Sequence, residues 1–147
     1  MIKKREIRRD LIWIKLAIID ESINLIEENI PDDVDAFIHL GLLKDGIYKR
    51  IEYAIETVLD ICAILNADMA LGIPETEEDI ISSLVRKGVI TGETGQEVRA
   101  MKRFRNIVVH RYGRIDDAIA YELLSENLPS FDRFRTDIER FLEEQTG

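Results

Sequence analysis

From Leu43 to Leu65 the apolar side chains fall at Leu43, Ile47, Ile51, Ala54, Ile55, Val58, Ile61, Cys62 and Leu65. That spacing becomes a continuous stripe only on an α-helix, where 3.6 residues make a turn. A helix this long and this one-sided must bury its stripe against other elements, and the rest of the chain supplies more helices. Ile7, Leu11, Ile14, Ile18 and Leu25 recur at helical spacing, with Trp13, Leu16, Ile19, Ile23 and Ile26 widening the apolar side, which predicts a first helix over 4–28. Pro31 with Asp32 and Asp33 ends it. The central helix is expected from about Asp35 to Asp68, with Gly41 and Gly46 as points where it can break.

Gly72-Ile73-Pro74 punctuates the chain before a short helix over 75–87, acidic at its start (Glu75, Glu77, Glu78, Asp79) and basic at its end (Arg86, Lys87), as the helix dipole favours. Gly88 stands where a terminating glycine belongs. Thr91 or Thr94 caps the next helix, and Thr94-Gly95-Gln96-Glu97 has capping-box spacing. That helix carries Val98, Met101, Arg105, Val108 and Val109 and ends between His110 and Gly113. Asp116 is expected to cap a fifth helix through Leu128. Pro129-Ser130 then separates a last short helix whose Phe131, Phe134, Ile138, Phe141 and Leu142 face inward. No stretch alternates cleanly enough for a sheet. The expectation is an all-α, up-and-down helical bundle of five to six helices, a single domain over residues 1–147.

Charge and cysteine content narrow the function. Twenty Lys and Arg stand against 29 Asp and Glu, a net charge of −9, which argues against wrapping duplex DNA. The one cysteine, Cys62, permits no intrachain disulfide. With no signal-like apolar stretch behind Met1–Glu6 and no apolar run of membrane-spanning length, a cytoplasmic protein that engages no membrane is expected. No HExxH, no CxxC, no histidine pair at ligand spacing and no phosphate-binding glycine loop occurs, so neither a metal nor another cofactor is expected.

The positive charge is concentrated. Arg99, Lys102, Arg103, Arg105, Arg111 and Arg114 lie in a stretch without a single Asp or Glu, which leaves −15 on the rest of the chain. Such a local field attracts an anion even when the total charge opposes it. A phosphate-bearing ligand is one reading, and a basic helix face paired with the acidic remainder is the other. His110 lies in the same stretch. Asn106, four residues before it, shares its helix face, whereas Arg105, five residues before it, is turned about 140° away on an ideal helix. Three outcomes stay open: the long arginine reaches round, the helix loosens before Gly113, or an arginine from a second subunit completes the site. The other histidine, His39, has no basic cluster near it and reads as structural or exposed.

Arg105-Asn106-Ile107-Val108-Val109-His110-Arg111-Tyr112, with Phe104 before it and Ile115-Asp116 after it, resembles the R-x4-H-x-Y motif of the HepT-like branch of the HEPN superfamily. The resemblance extends through the long central helix, Leu71-Gly72-Ile73-Pro74, Leu84…Gly88-Val89-Ile90 and Asp116…Tyr121. It implies a metal-independent endoribonuclease toxin, working as a homodimer, whose antitoxin is an MNT-type nucleotidyltransferase and whose substrate is RNA. The family's arginine maps onto Arg105, its polar companion onto Asn106, its histidine onto His110 and its tyrosine onto Tyr112. By the same resemblance, Tyr112 is where the antitoxin attaches AMP.

The chemistry suits these residue types. RNA carries its own nucleophile in the 2′-OH, so cleavage needs proton transfer and stabilisation of the phosphorane's extra charge. Histidine titrates near neutrality and serves as general base or acid. Arginine stays charged and offers phosphate a rigid fork. His110 and Arg105 are thus the expected catalytic pair, Asn106 a supporting group, and Lys102, Arg103, Arg111 and Arg114 the expected contacts to RNA phosphates. One alternative is a non-catalytic helical module that binds a nucleotide or a nucleotidyltransferase. A plain dimerisation protein is another, and it predicts Arg105 and His110 locked in ion pairs within the fold.

Overall fold

The computed structural model describes residues 6–145. Six helices, α1 (Arg9–Asn29), α2 (Val34–Ile38), α3 (Leu42–Asp68), α4 (Glu77–Arg86), α5 (Gly92–His110) and α6 (Asp117–Glu144), form an up-and-down bundle with a 3-10 turn at Tyr112–Arg114, and no strand occurs among the described residues. Residues 4 and 5 of the expected first helix lie outside the described residues, and α1 begins at Arg9.

α3 is the axis of the bundle. Ile47, Ile51, Ala54, Ile55, Val58, Ile61, Cys62 and Leu65, the stripe seen in the sequence, are all buried, while Leu43 at its start is exposed. Helices α1, α4 and α5 pack around α3, and α6 closes the bundle against α5, α1 and α2. The expected helix over 35–68 is broken once, at Gly41 and not at Gly46. Gly41 has φ +69°, a left-handed conformation that costs a side-chain-bearing residue energy and turns the chain from α2 into α3. α2 is held by aromatic contacts of Phe37 with Tyr48 and Tyr121. Tyr121 also donates to the Pro31 carbonyl at 2.7 Å.

Pro129 does not end a helix as the sequence suggested. α6 runs unbroken through it. A proline inside a helix removes one hydrogen bond and costs about 3 kcal/mol. Ala120, Leu124, Asn127, Phe131, Phe134, Ile138 and Phe141 nevertheless fall at alternating spacings of four and three on one buried face. Each large side chain on that face contributes roughly 1.5–3 kcal/mol by burial, so keeping the face in register outweighs the lost bond.

α4 is shorter than expected, because Thr76 caps it. Thr76 accepts from Asp79 N while Asp79 accepts from Thr76 N at 3.1 Å, a capping box on residues other than those expected. Its end follows the sequence reading: Gly88 has φ +72°, and Val89 N donates to Leu84 O at 2.9 Å.

Candidate functional site

α5 carries the R-x4-H motif, and its two ends determine where the motif points. Thr91, not Thr94, caps it, accepting from Thr94 N at 3.1 Å. Thr94 is buried, and Glu97 is bound by Arg133 of α6 instead of closing a capping box. The Thr91 N–H donates to the Asp137 carboxylate at 2.9 Å, which ties the start of α5 to α6. At the other end α5 stays helical to His110, then passes through the Tyr112–Arg114 turn to Asp116, whose side chain caps α6 by accepting from Ala118 N and Ile119 N.

Because α5 does not loosen before His110, Arg105 and His110 leave it on different faces. Arg105 is in line with Met101 and Val108, both buried, one turn to either side. It therefore points toward the core edge, and its side chain is only 12% exposed. There its Nη2 donates to Glu77 Oε1 at 2.7 Å and its Nη1 to Glu56 Oε1 at 3.0 Å and Glu77 Oε2 at 3.4 Å. Its Nε donates to Asn106 Oδ1 at 3.0 Å. Partial burial works against the charge on Arg105, but the bonds from Glu77 and Glu56 outweigh it and hold its pKa above the ordinary arginine value.

His110 is exposed at the last residue of α5 and has no side-chain hydrogen bond or ion pair among the described residues. A dimerisation scaffold would lock both motif residues; this fold locks Arg105 and leaves the imidazole open. Lys102, Asn106 and His110 follow one another at four-residue steps on one face. Asn106, the expected supporting group, accepts from Arg105 Nε through its Oδ1 at 3.0 Å.

The basic stretch divides in two. Arg99 is paired with Glu78 at 2.6 Å, and Arg105 with Glu56 and Glu77, so these two positive charges are spent inside the bundle. Lys102, Arg103, Arg111 and Arg114 form no ion pair with the described residues, and all but the half-buried Lys102 are exposed. The unpaired cations flank His110 on both sides in sequence.

Tyr112 is 51% exposed and opens onto a groove of about 600 Å³ shared with Asp45, Gly46, Lys49, Glu52, Val108 and Val109. The nearby Asp45 carboxylate, as an acceptor for the phenol proton and through its charge, raises the Tyr112 pKa above the ordinary value. His39 is exposed, with Nδ1 2.8 Å from Asp35 O.

Glu56, Glu77 and Asp45 were not legible as parts of the site. Glu77 reads in the sequence as a helix-start acid, and Glu56 and Asp45 as polar positions on the central helix. Only their proximity in space links them to Arg105 and Tyr112, and no spacing rule connects residues 49 and 28 apart. No group of three or more His, Cys, Asp or Glu among the described residues is arranged to hold a metal ion.

The chain is similar to the mRNA nuclease HepT of Shewanella oneidensis, 27% identical over 125 residues that cover 85% of this chain and 93% of that protein. It is also similar to a putative RNase of Archaeoglobus fulgidus, 25% identical over 136 residues covering 92% of this chain and 96% of the relative. The fold superposes on the tri-AMPylated Shewanella oneidensis HEPN toxin, solved in complex with its MNT antitoxin, with a TM-score of 0.80 at 27% identity, covering 89% of this chain and 98% of that one. The family model described as ribonuclease HepT-like matches residues 19–138, and with the all-helical bundle and the motif on α5 this places the chain in the HepT-like family of the HEPN superfamily.

Proposed function

We propose that this protein is a metal-independent endoribonuclease and the toxin half of a toxin–antitoxin pair, acting as a homodimer and restrained by an MNT-type nucleotidyltransferase. The observation that carries the reading is His110: an open imidazole at the tip of α5, flanked in sequence by Lys102, Arg103, Arg111 and Arg114, none of them paired with the described residues, in a chain of net charge −9. Unpaired cations gathered in one stretch of an acidic protein give a local potential that draws a polyanion to the histidine.

In this reading His110 takes the proton of the RNA 2′-OH or gives one to the departing 5′ oxygen. Arg105 holds the phosphate and stabilises the charge that develops on it. The attack forms the 2′-O–P bond and breaks the P–O5′ bond, leaving a 2′,3′-cyclic phosphate and a 5′-OH end. Arg105 and His110 diverge on one rigid helix, so a second copy, bringing its motif alongside, supports a composite site in which two histidines share the base and acid roles. Tyr112, exposed in the turn just past His110, is the residue we assign as the antitoxin's AMPylation target. An adenylyl group there adds bulk and negative charge among Arg111 and Arg114 and opposes entry of RNA.

The test is RNA cleavage in EDTA by wild type beside His110→Ala, with product ends identified. Cyclic-phosphate ends from wild type, absent from the variant, are the expected result, and a substrate with 2′-deoxyribose at the cut is expected to stay intact. Cutting of that deoxy substrate at the normal rate rules the mechanism out. A Tyr112→Phe variant is expected to fold, to keep cleaving, and to resist the nucleotidyltransferase.

One observation favours a second reading, a non-catalytic binding module: Arg105 already has two carboxylate partners. That module retains nucleotide or nucleotidyltransferase binding with no cleavage, and His110→Ala leaves its affinity unchanged.

A further inference from the structure

Arg105 presents an electrostatic problem. Arginine has five N–H donors, and here one on Nε goes to Asn106, two on Nη1 to Glu56 and Glu77, and one on Nη2 to Glu77. A single N–H remains. Two carboxylates face one guanidinium, so the cluster carries a net negative charge, and a phosphodiester brought to it meets repulsion as well as attraction. In this arrangement four of the five donors are already engaged.

The three groups are not equally fixed. The Arg105 side chain is 12% exposed, held between α5 and the core edge, whereas the Glu77 and Glu56 side chains are 41% and 43% exposed. Neither glutamate side chain has another hydrogen-bond or ion-pair partner among the described residues. The carboxylates are therefore the parts that can swing into solvent while the guanidinium stays. Carboxylate and phosphate oxygens also suit the same planar fork, which accepts either in bidentate fashion.

We propose that Glu56 and Glu77 occupy the phosphate seat of Arg105, so that RNA binds by exchanging a phosphate for these carboxylates and the two glutamates set how tightly the seat holds it. This rests on the reading of Arg105 as the phosphate clamp. The glutamates are positioning residues in that scheme. They keep the guanidinium turned toward α3 and α4 before RNA arrives, and they lower the affinity for isolated phosphates, so that a strand must also engage the unpaired cations near His110 to displace them.

The experiment measures binding of a fluorescent, single-stranded, all-2′-deoxy oligonucleotide, which lacks the attacking hydroxyl, by anisotropy at fixed ionic strength. The proteins are wild type, Glu56→Gln, Glu77→Gln, the double variant, Arg105→Ala, and Arg105→Ala combined with both glutamine changes. Glu27→Gln/Glu28→Gln on the exposed face of α1 alters net charge equally and serves as control. The expected result is binding about tenfold tighter in the double variant, a smaller gain in each single variant, little change in the control, and no gain once Arg105 is alanine. If the double variant proves unstable, each single variant carries the same test. Glutamine variants that bind no tighter than wild type, or no tighter than the control, overturn the exchange even where Arg105→Ala weakens binding. If Arg105→Ala binds as wild type does, the clamp reading itself fails, and the exchange falls with it.

Discussion

Arg105 and Glu77 meet fork to carboxylate between α5 and the first turn of α4, with Nη2 to Oε1 at 2.7 Å. The contact depends on the planarity of the guanidinium, because Nη1 of the same group simultaneously reaches Glu56 on α3. Arg105→Lys keeps the charge and loses the fork. Its carboxylate partners are about two-fifths exposed, so the expected loss of stability is no more than about 1 kcal/mol. The expected loss of RNA cleavage is roughly 10²–10³-fold, since a single ammonium cannot grip two phosphate oxygens in parallel. Thermal melts beside cleavage rates check both. Wild-type rates from the lysine variant would mean that the bidentate geometry is not used.

Tyr112 and Asp45 supply a second prediction. The Asp45 carboxylate, through its accepting oxygens and its charge, disfavours the phenolate and raises the Tyr112 pKa. Asp45→Asn removes the charge and is expected to lower that pKa toward the ordinary value of about 10. Phenolate absorbance, titrated with and without a Tyr112→Phe change in each background, isolates this residue from Tyr48, Tyr53 and Tyr121. An unchanged titration would place the cause outside Asp45.

A third prediction concerns acid stability. Asp117, the first residue of α6, accepts from Lys44 Nζ and Tyr48 Oη, both at 2.6 Å. Burial works against its charge, but the bonds from Lys44 and Tyr48 win and lower its pKa. A carboxylate whose pKa is depressed by folding contributes stability above its unfolded pKa of about 3.9, and that contribution disappears as pH falls through the lower, folded value. Asp117→Asn is expected to cost about 1.5–3 kcal/mol at pH 7 and to flatten the fall in stability below about pH 4. Urea unfolding across pH 2–7 measures it, and parallel curves for the two proteins would contradict it.

Pro129 gives the fourth. The proline leaves the Ser125 carbonyl without its helical donor in an otherwise continuous α6. Pro129→Ala restores that bond and is expected to stabilise the protein by about 1–3 kcal/mol, with a higher melting temperature and unchanged cleavage. A destabilised variant would show that the proline ring itself contributes packing that alanine cannot replace.

Local rules made most of the helices readable. The 3.6-residue stripe from Ile47 to Leu65, the left-handed glycine after α4 and the Asp116 cap are properties of short windows, and the structure keeps each of them. The motif on α5 was readable for the same reason, as a string of residue types within one turn or two. Even the 140° divergence of Arg105 and His110 follows from helix geometry alone. What the tertiary structure decided lies across elements. Pro129 stays inside α6 because the core presses on both halves of one face, an energy no local propensity contains. Thr91 caps α5 while Glu97 turns to Arg133, because α6 stands beside it. Arg105 spends its charge on Glu56 and Glu77 because packing brings α3 and α4 against its exit from the helix. Sequence patterns report which side of a helix is apolar; which charges meet across the gap between helices depends on where those helices come to rest.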